Sequence, residues 1–99
     1  MPLVIDPAGN EIRALRRLLE WRGKRVLEIG CGDGRLTLRL DHFGPRSIEA
    51  IDPDAERIRV ARRGQPEETR ERIHYRVGQA ETLKYPAEAF DIVVFSWAL

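Results

Sequence analysis

The run Val26–Thr37, Val-Leu-Glu-Ile-Gly-Cys-Gly-Asp-Gly-Arg-Leu-Thr, constrains this chain more than any other stretch. Apolar residues surround a single carboxylate, Glu28, and glycine then recurs at every second position, at Gly30, Gly32 and Gly34. Leu36, Leu38 and Leu40 follow in a polar background. The pattern predicts a buried strand, a tight glycine turn and the opening of a helix. Glycine serves such a turn twice over. It takes backbone angles that other residues resist, and its missing side chain lets a ligand lie on the main chain. The helix start then offers unpaired N–H groups to polar ligand atoms.

Ahead of that run, Ile12, Leu15, Leu18 and Leu19 recur at helical spacing between Asp6 and Trp21, with Arg13, Arg16, Arg17 and Glu20 opposite. This predicts an amphipathic N-terminal helix within residues 1–23, started by Asp6 or by Asn10 one turn later and closed by Gly23. Its arginines read as a solvated face. Beyond the glycine turn, Leu36–Phe43 predicts a short helix closed by Gly44-Pro45, and Ser47–Ile51 a second strand ending in Asp52-Pro53-Asp54. A second helix is expected over Asp54–Arg63 with Ile58 and Ala61 inward, then a loop or frayed helix end to Arg72. Ile73–Val77 alternates apolar and polar, which predicts a third strand at the sheet edge with His74 in solvent. Gly78–Ala89 reads as a connection with room for one helical turn at Thr82–Tyr85. Phe90–Phe95 is a near-continuous apolar run of the kind buried in parallel sheets. Strands alternating with helices predict an α/β, Rossmann-like architecture with right-handed crossovers.

Ninety-nine residues allow one small domain, and 42% apolar with 33% charged residues describe an ordinary globular chain. Seventeen bases against 16 acids leave a net charge of +1, which gives no electrostatic case for nucleic acid or an anionic membrane. The N-terminus lacks the basic and apolar regions of a secretory signal. The single cysteine, Cys31, excludes an internal disulfide, fits a reducing cytoplasm, and has glycines rather than metal ligands beside it. No metal site is expected. Asp52 closes the second strand, 22 positions after Gly30. A carboxylate there can accept from both ribose hydroxyls of an adenosine-containing ligand, or it can cap the following helix, which Asp54 does equally well.

Glu-x-Gly-x-Gly-x-Gly is not the dinucleotide fingerprint Gly-x-Gly-x-x-Gly. It resembles motif I of the class I S-adenosylmethionine-dependent methyltransferases, in the small-molecule, type 11-like branch often written VLEIGCGxGxxT. Val77-Gly78-Gln79-Ala80-Glu81 is similar to that family's GDAExLP stretch. Phe90–Leu99 is similar to its FDxVxSxxAL segment. Together these segments cover most of Val26–Leu99.

The resemblance implies S-adenosylmethionine as cofactor, held by Glu28, Gly30, Cys31, Gly32, Gly34, Asp52, Pro53, Gln79, Ala80 and Ser96. Asp52 would take the ribose, Pro53 one side of the adenine, and Glu28, Ser96 and Trp97 the methionine end. Gln79 stands where the family usually places an aspartate for the adenine amino group, so its neutral oxygen offers a weaker acceptor. No catalytic residue is assigned, since methyl transfer from a sulfonium is chiefly a matter of orientation.

The resemblance also implies a sheet of seven strands in the order 3-2-1-4-5-7-6. Residues 1–99 would supply 3-2-1-4 with helices mainly on one face, a cofactor-binding half whose core spans residues 24–99. Strands five to seven would be absent, leaving the apolar fourth strand as an open edge that invites self-association or a partner chain. Three readings follow. One is the cofactor-binding half of a methyltransferase acting on a small-molecule acceptor. The second is a non-catalytic half-domain that binds the cofactor or associates. The third is a fragment of a nicotinamide-dependent oxidoreductase, which the glycine spacing and Glu28 disfavour.

Overall fold

Alternation along three neighbouring strands sorts their side chains into two layers, and everything else in the domain follows from that sorting. The computed structural model describes residues 3–5, 20–79 and 89–96. Its strands are β1 (Leu3–Ile5), β2 (Arg25–Ile29), β3 (Ser47–Asp52), β4 (Ile73–Val77) and β5 (Ile92–Phe95), with helices α1 (Arg35–Asp41) and α2 (Ala55–Arg63). All strand pairs are parallel, and the order across the sheet is β1-β5-β2-β3-β4. The four strands expected from the sequence therefore stand in the expected order, with Ile73–Val77 at one edge.

One layer takes Val26 and Glu28 from β2, Ile48 and Ala50 from β3, Tyr75 from β4, and Ile92 and Val94 from β5. Leu36 and Leu40 of α1 and Ile58 and Ala61 of α2 close over it. Each helix turns one apolar stripe inward, so a short helix suffices. The second layer joins Leu27, Ile29 and Ile51, with Phe90, Val93 and Phe95 packed against them.

The other edge departs from expectation. The fourth strand of the sequence reading, β5, is not open: Leu3, Val4 and Ile5 pair with Ile92, Val93 and Val94. Three extended apolar residues meet the unpaired N–H and C=O groups of that strand and satisfy them. Val60 and Val77 are the exposed large hydrophobics among the described residues. The helix expected over Asp6–Trp21 lies outside the described residues up to position 19, as does the turn at Thr82–Tyr85. Trp21 itself is not helical. It is buried, its ring tilted against Phe43 at a centroid distance of 5.2 Å.

Polar contacts fix the ends of these elements. Asp54 caps α2, its carboxylate accepting from the N–H groups of Glu56 and Arg57. At the N-terminal ends of the strands Asp91 accepts from the Arg25 N–H at 2.8 Å and from its guanidinium at 3.2 Å. That guanidinium holds the Asp91 carboxyl well below the usual range. Arg72 reaches from the start of β4 to Asp41 at the end of α1, with both contacts at 2.7 Å.

Gly34 shows why the turn needs glycine. Its φ is 90°, and a Cβ there would lie 2.7 Å from the Tyr75 hydroxyl and 3.3 Å from the Ala61 methyl. Gly34→Ala is expected to cost about 1–2 kcal/mol in left-handed backbone strain alone, with the displacement of Tyr75 added to it. Urea unfolding of parent and variant measures the difference.

Candidate functional site

Three chain segments end together at the C-terminal side of the sheet: β2 at Gly30, β3 at Asp52 and β5 at Ser96. Main-chain bonds hold them in place, from Gly30 N to Ile51 O at 2.8 Å, Ser96 N to Ile29 O at 2.8 Å, and Gly78 N to Asp52 O at 3.0 Å. The chain leaves β2 toward β3 on one side, while β5 flanks β2 on the other. Such a reversal of direction opens a crevice beyond the carboxyl ends of the strands. A cleft of about 880 Å³ lies there, within the size range of small-molecule sites. Gly30, Cys31, Gly32, Asp52 and Ser96 line it, five of the residues expected from the sequence.

The glycine turn is built differently from the sequence reading in one respect. Its N–H groups are largely engaged already. Gly30 and Cys31 donate to Ile51 O, Gly34 to Cys31 O, Gly32 to Asp52 Oδ2 at 2.9 Å, and Arg35 to Asp33 Oδ1 at 3.3 Å. The turn is tied down by the neighbouring strand, so what it offers a ligand is room rather than a row of free donors. At Gly32, with φ 58°, a Cβ would stand 3.1 Å from the Arg57 guanidinium.

Asp52 is half-buried and both of its oxygens work. Oδ2 accepts from Gly32 N, and Oδ1 accepts from Asp54 N at 2.9 Å. The capping role belongs to Asp54. Asp52 instead locks the glycine turn to the start of the β3–α2 connection and presents its carboxylate to the cleft, where each oxygen keeps acceptor capacity. Around it the lining mixes charges, with Asp33, Asp54 and Glu56 among the acids and Arg35, Arg39 and Arg57 among the bases.

Glu28, two residues before the cleft-lining Gly30, is fully buried. The Thr37 hydroxyl donates to its Oε1, whereas Oε2 has no hydrogen-bond partner among the described residues. Burial pushes its carboxyl up to about 7, against the pull of the Thr37 and Ser96 hydroxyls. The Ser96 hydroxyl is near enough to ease ionisation, yet its Oγ also forms no hydrogen bond of normal geometry. Cys31 is buried, and burial, followed by the charges of Glu28 and Asp52, raises its thiol far above neutrality. It is an inert thiol.

Of the other residues expected in the site, Gly34 forms the base of the turn against Tyr75. Pro53 and Gln79 are exposed. Ala80 and Trp97 lie outside the described residues. Thr37 was not singled out from the sequence. The signal was there: a carboxylate inside an apolar strand needs a donor, and Thr37 is the hydroxyl on the buried stripe of α1 between Leu36 and Leu40.

The family profile described as "Methyltransferase domain" matches residues 26–99. The chain belongs to the methyltransferase domain family. Among curated relatives, the ubiquinone biosynthesis O-methyltransferase of Azorhizobium caulinodans is 38% identical over 86 residues, which are 87% of this chain and 32% of that protein. The YcgJ protein of Bacillus subtilis superposes with a TM-score of 0.75 at 29% identity, over 87% of this chain and 37% of its own. An S-adenosylmethionine-dependent methyltransferase from Mesorhizobium loti gives a TM-score of 0.71 at 27% identity, over 88% of this chain and 39% of its own. This methyltransferase domain thus spans about a third of the curated relative it matches. Its glycine turn, Asp52 and Ser96 all fall within the matched residues, and its Rossmann-like sheet is that of S-adenosylmethionine-dependent methyltransferases.

Proposed function

We propose that this domain binds S-adenosylmethionine across the carboxyl ends of β2, β3 and β5, as the cofactor-binding part of a methyltransferase. The observation that carries the reading is the pairing of two unlike polar subsites in one cleft. On the β3 side stands an anchored carboxylate, Asp52, suited to a pair of ribose hydroxyls. On the β2–β5 side two buried polar atoms, Glu28 Oε2 and Ser96 Oγ, have no hydrogen-bond partner among the described residues. Buried polar groups require partners, and the ammonium group of a methionine moiety suits these two. The residues present therefore fit the cofactor. In this reading Pro53, Gln79 and Ala80 flank its adenine, while Gly30, Cys31, Gly32 and Gly34 leave room for its main body.

Bound S-adenosylmethionine supplies an activated methyl group on a sulfonium. The protein's own task is to hold that donor in line with the acceptor and to keep water out. The acceptor we propose is a small molecule bearing a nucleophilic oxygen, by likeness to relatives named as O-methyltransferases. A second copy or partner chain adding to the β5 edge would have to displace Leu3–Ile5.

Titration calorimetry with S-adenosylmethionine, S-adenosylhomocysteine and nicotinamide dinucleotides tests the reading. Binding of the first two and far weaker binding of the dinucleotides is expected, and equal or reversed affinities would overturn it. Gln79→Asp should tighten adenosine binding, because a carboxylate is the stronger acceptor for the exocyclic amine. The gain should vanish for inosine, which lacks that amine.

A further inference from the structure

Among the described residues the surroundings of Glu28 leave a negative charge there uncompensated. Its paired neighbours in the sheet are Ala50 on β3 and Val94 on β5, both apolar. From α1 it receives the Thr37 hydroxyl, and from the end of β5 it faces the Ser96 hydroxyl. The titratable groups nearest to it are the Cys31 thiol and the Tyr75 phenol, both of which burial keeps protonated and neutral. Asp41 of α1 acts on Tyr75 rather than on Glu28. Arg57 of α2 lies over Gly32, and Arg62 donates to the Tyr75 carbonyl. Among the described residues no positive charge contributes to the state of Glu28. A buried carboxylate without a cation, and with one oxygen unpartnered, is disfavoured relative to its neutral acid.

We propose that Glu28 holds its proton in the ligand-free domain and releases it when a cationic ligand group settles against Ser96, so that binding is coupled to the discharge of one proton. The inference rests on the cofactor reading and adds its regulation. The Glu28 O–H bond breaks, its electron pair stays on the carboxylate, and the proton passes to buffer. The ligand's positive charge takes the proton's place, and the buried cluster remains neutral overall. Ser96, which lines the cleft, connects the buried acid to the ligand. A carboxyl held near 7 makes this exchange readable at mildly acid pH.

The test is calorimetric titration of the protein with S-adenosylmethionine at pH 6.0, in buffers of different ionisation enthalpy. Close to one proton released per ligand is expected, and almost none in Glu28→Gln. Affinity of the parent should rise about tenfold from pH 5.5 to 6.5, where the ligand's own ammonium and carboxylate keep their charges. That of the variant should stay flat. Thr37→Val, which removes the donor that favours the ionised form, should move the pH of half-release upward. Binding without proton release in the parent would overturn the inference while leaving the cofactor reading intact. So would equal release by parent and Glu28→Gln or, should that variant not fold, an unmoved profile in Thr37→Val. Absence of binding heat at every pH would overturn both.

Discussion

Asp52→Ala is expected to weaken S-adenosylmethionine binding by between about tenfold and 100-fold, since one charge-assisted hydrogen bond is worth about 1.5–3 kcal/mol. Two effects add. In the proposed complex the ribose hydroxyls lose their acceptor, and Gly32 N and Asp54 N lose the carboxylate that ties the glycine turn to the β3–α2 connection. Asp52→Asn separates them. Its amide oxygen still accepts from one of those N–H groups but carries no charge, so it should recover fold stability better than affinity. Unchanged affinity in Asp52→Ala would make Asp52 a brace for the loop and nothing more.

The second large effect is on stability. In the parent, Glu28 of the unfolded chain ionises near 4.5, whereas in the folded domain it keeps its proton up to about 7. Below pH 4.5 both states are protonated and Glu28 leaves no pH dependence. Between 4.5 and about 7 the unfolded state has given up a proton that the folded state still binds, so folding stability falls as pH rises. Above about 7 the loss is complete. Its size is about 3 kcal/mol. Glu28→Gln removes the titrating group and keeps its shape. The difference in unfolding free energy between variant and parent should therefore move in favour of the variant by about 3 kcal/mol from pH 4.5 to 7.5. Urea unfolding across that range measures it, and a constant difference would mean that Glu28 ionises in the fold as it does in water.

Much of this architecture was legible in the residues themselves. The glycines at alternate positions after Val26–Ile29 announced the strand-to-turn geometry, and the 3.6-residue spacing of Ile58 and Ala61 set the buried face of α2. Asp52 stood out as the carboxylate that closes the second strand, with a ligand role and a capping role both open; its bonds to Gly32 N and Asp54 N assign the cap to Asp54. What escaped was non-local. Leu3, Val4 and Ile5 are too few to show a period, and their pairing with β5 bridges nearly the whole chain. The engagement of the turn's N–H groups depends on Ile51 O and Asp52, some twenty residues away. Thr37 escaped because its partner, Glu28, lies on another element; the helix pattern records that position 37 faces inward, not what it meets there.

The proposed cofactor site lies at one end of the sheet, against the glycine turn, Asp52 and Ser96. Amide chemical shifts recorded while S-adenosylhomocysteine is added to the labelled protein test it most directly. The largest changes are expected on Gly30–Gly34, Asp52–Asp54, Gln79 and Ser96. Arg25 and Asp91, paired at the opposite ends of their strands, should stay still. Changes centred on Arg25 and Asp91, or none at saturating ligand, would contradict it.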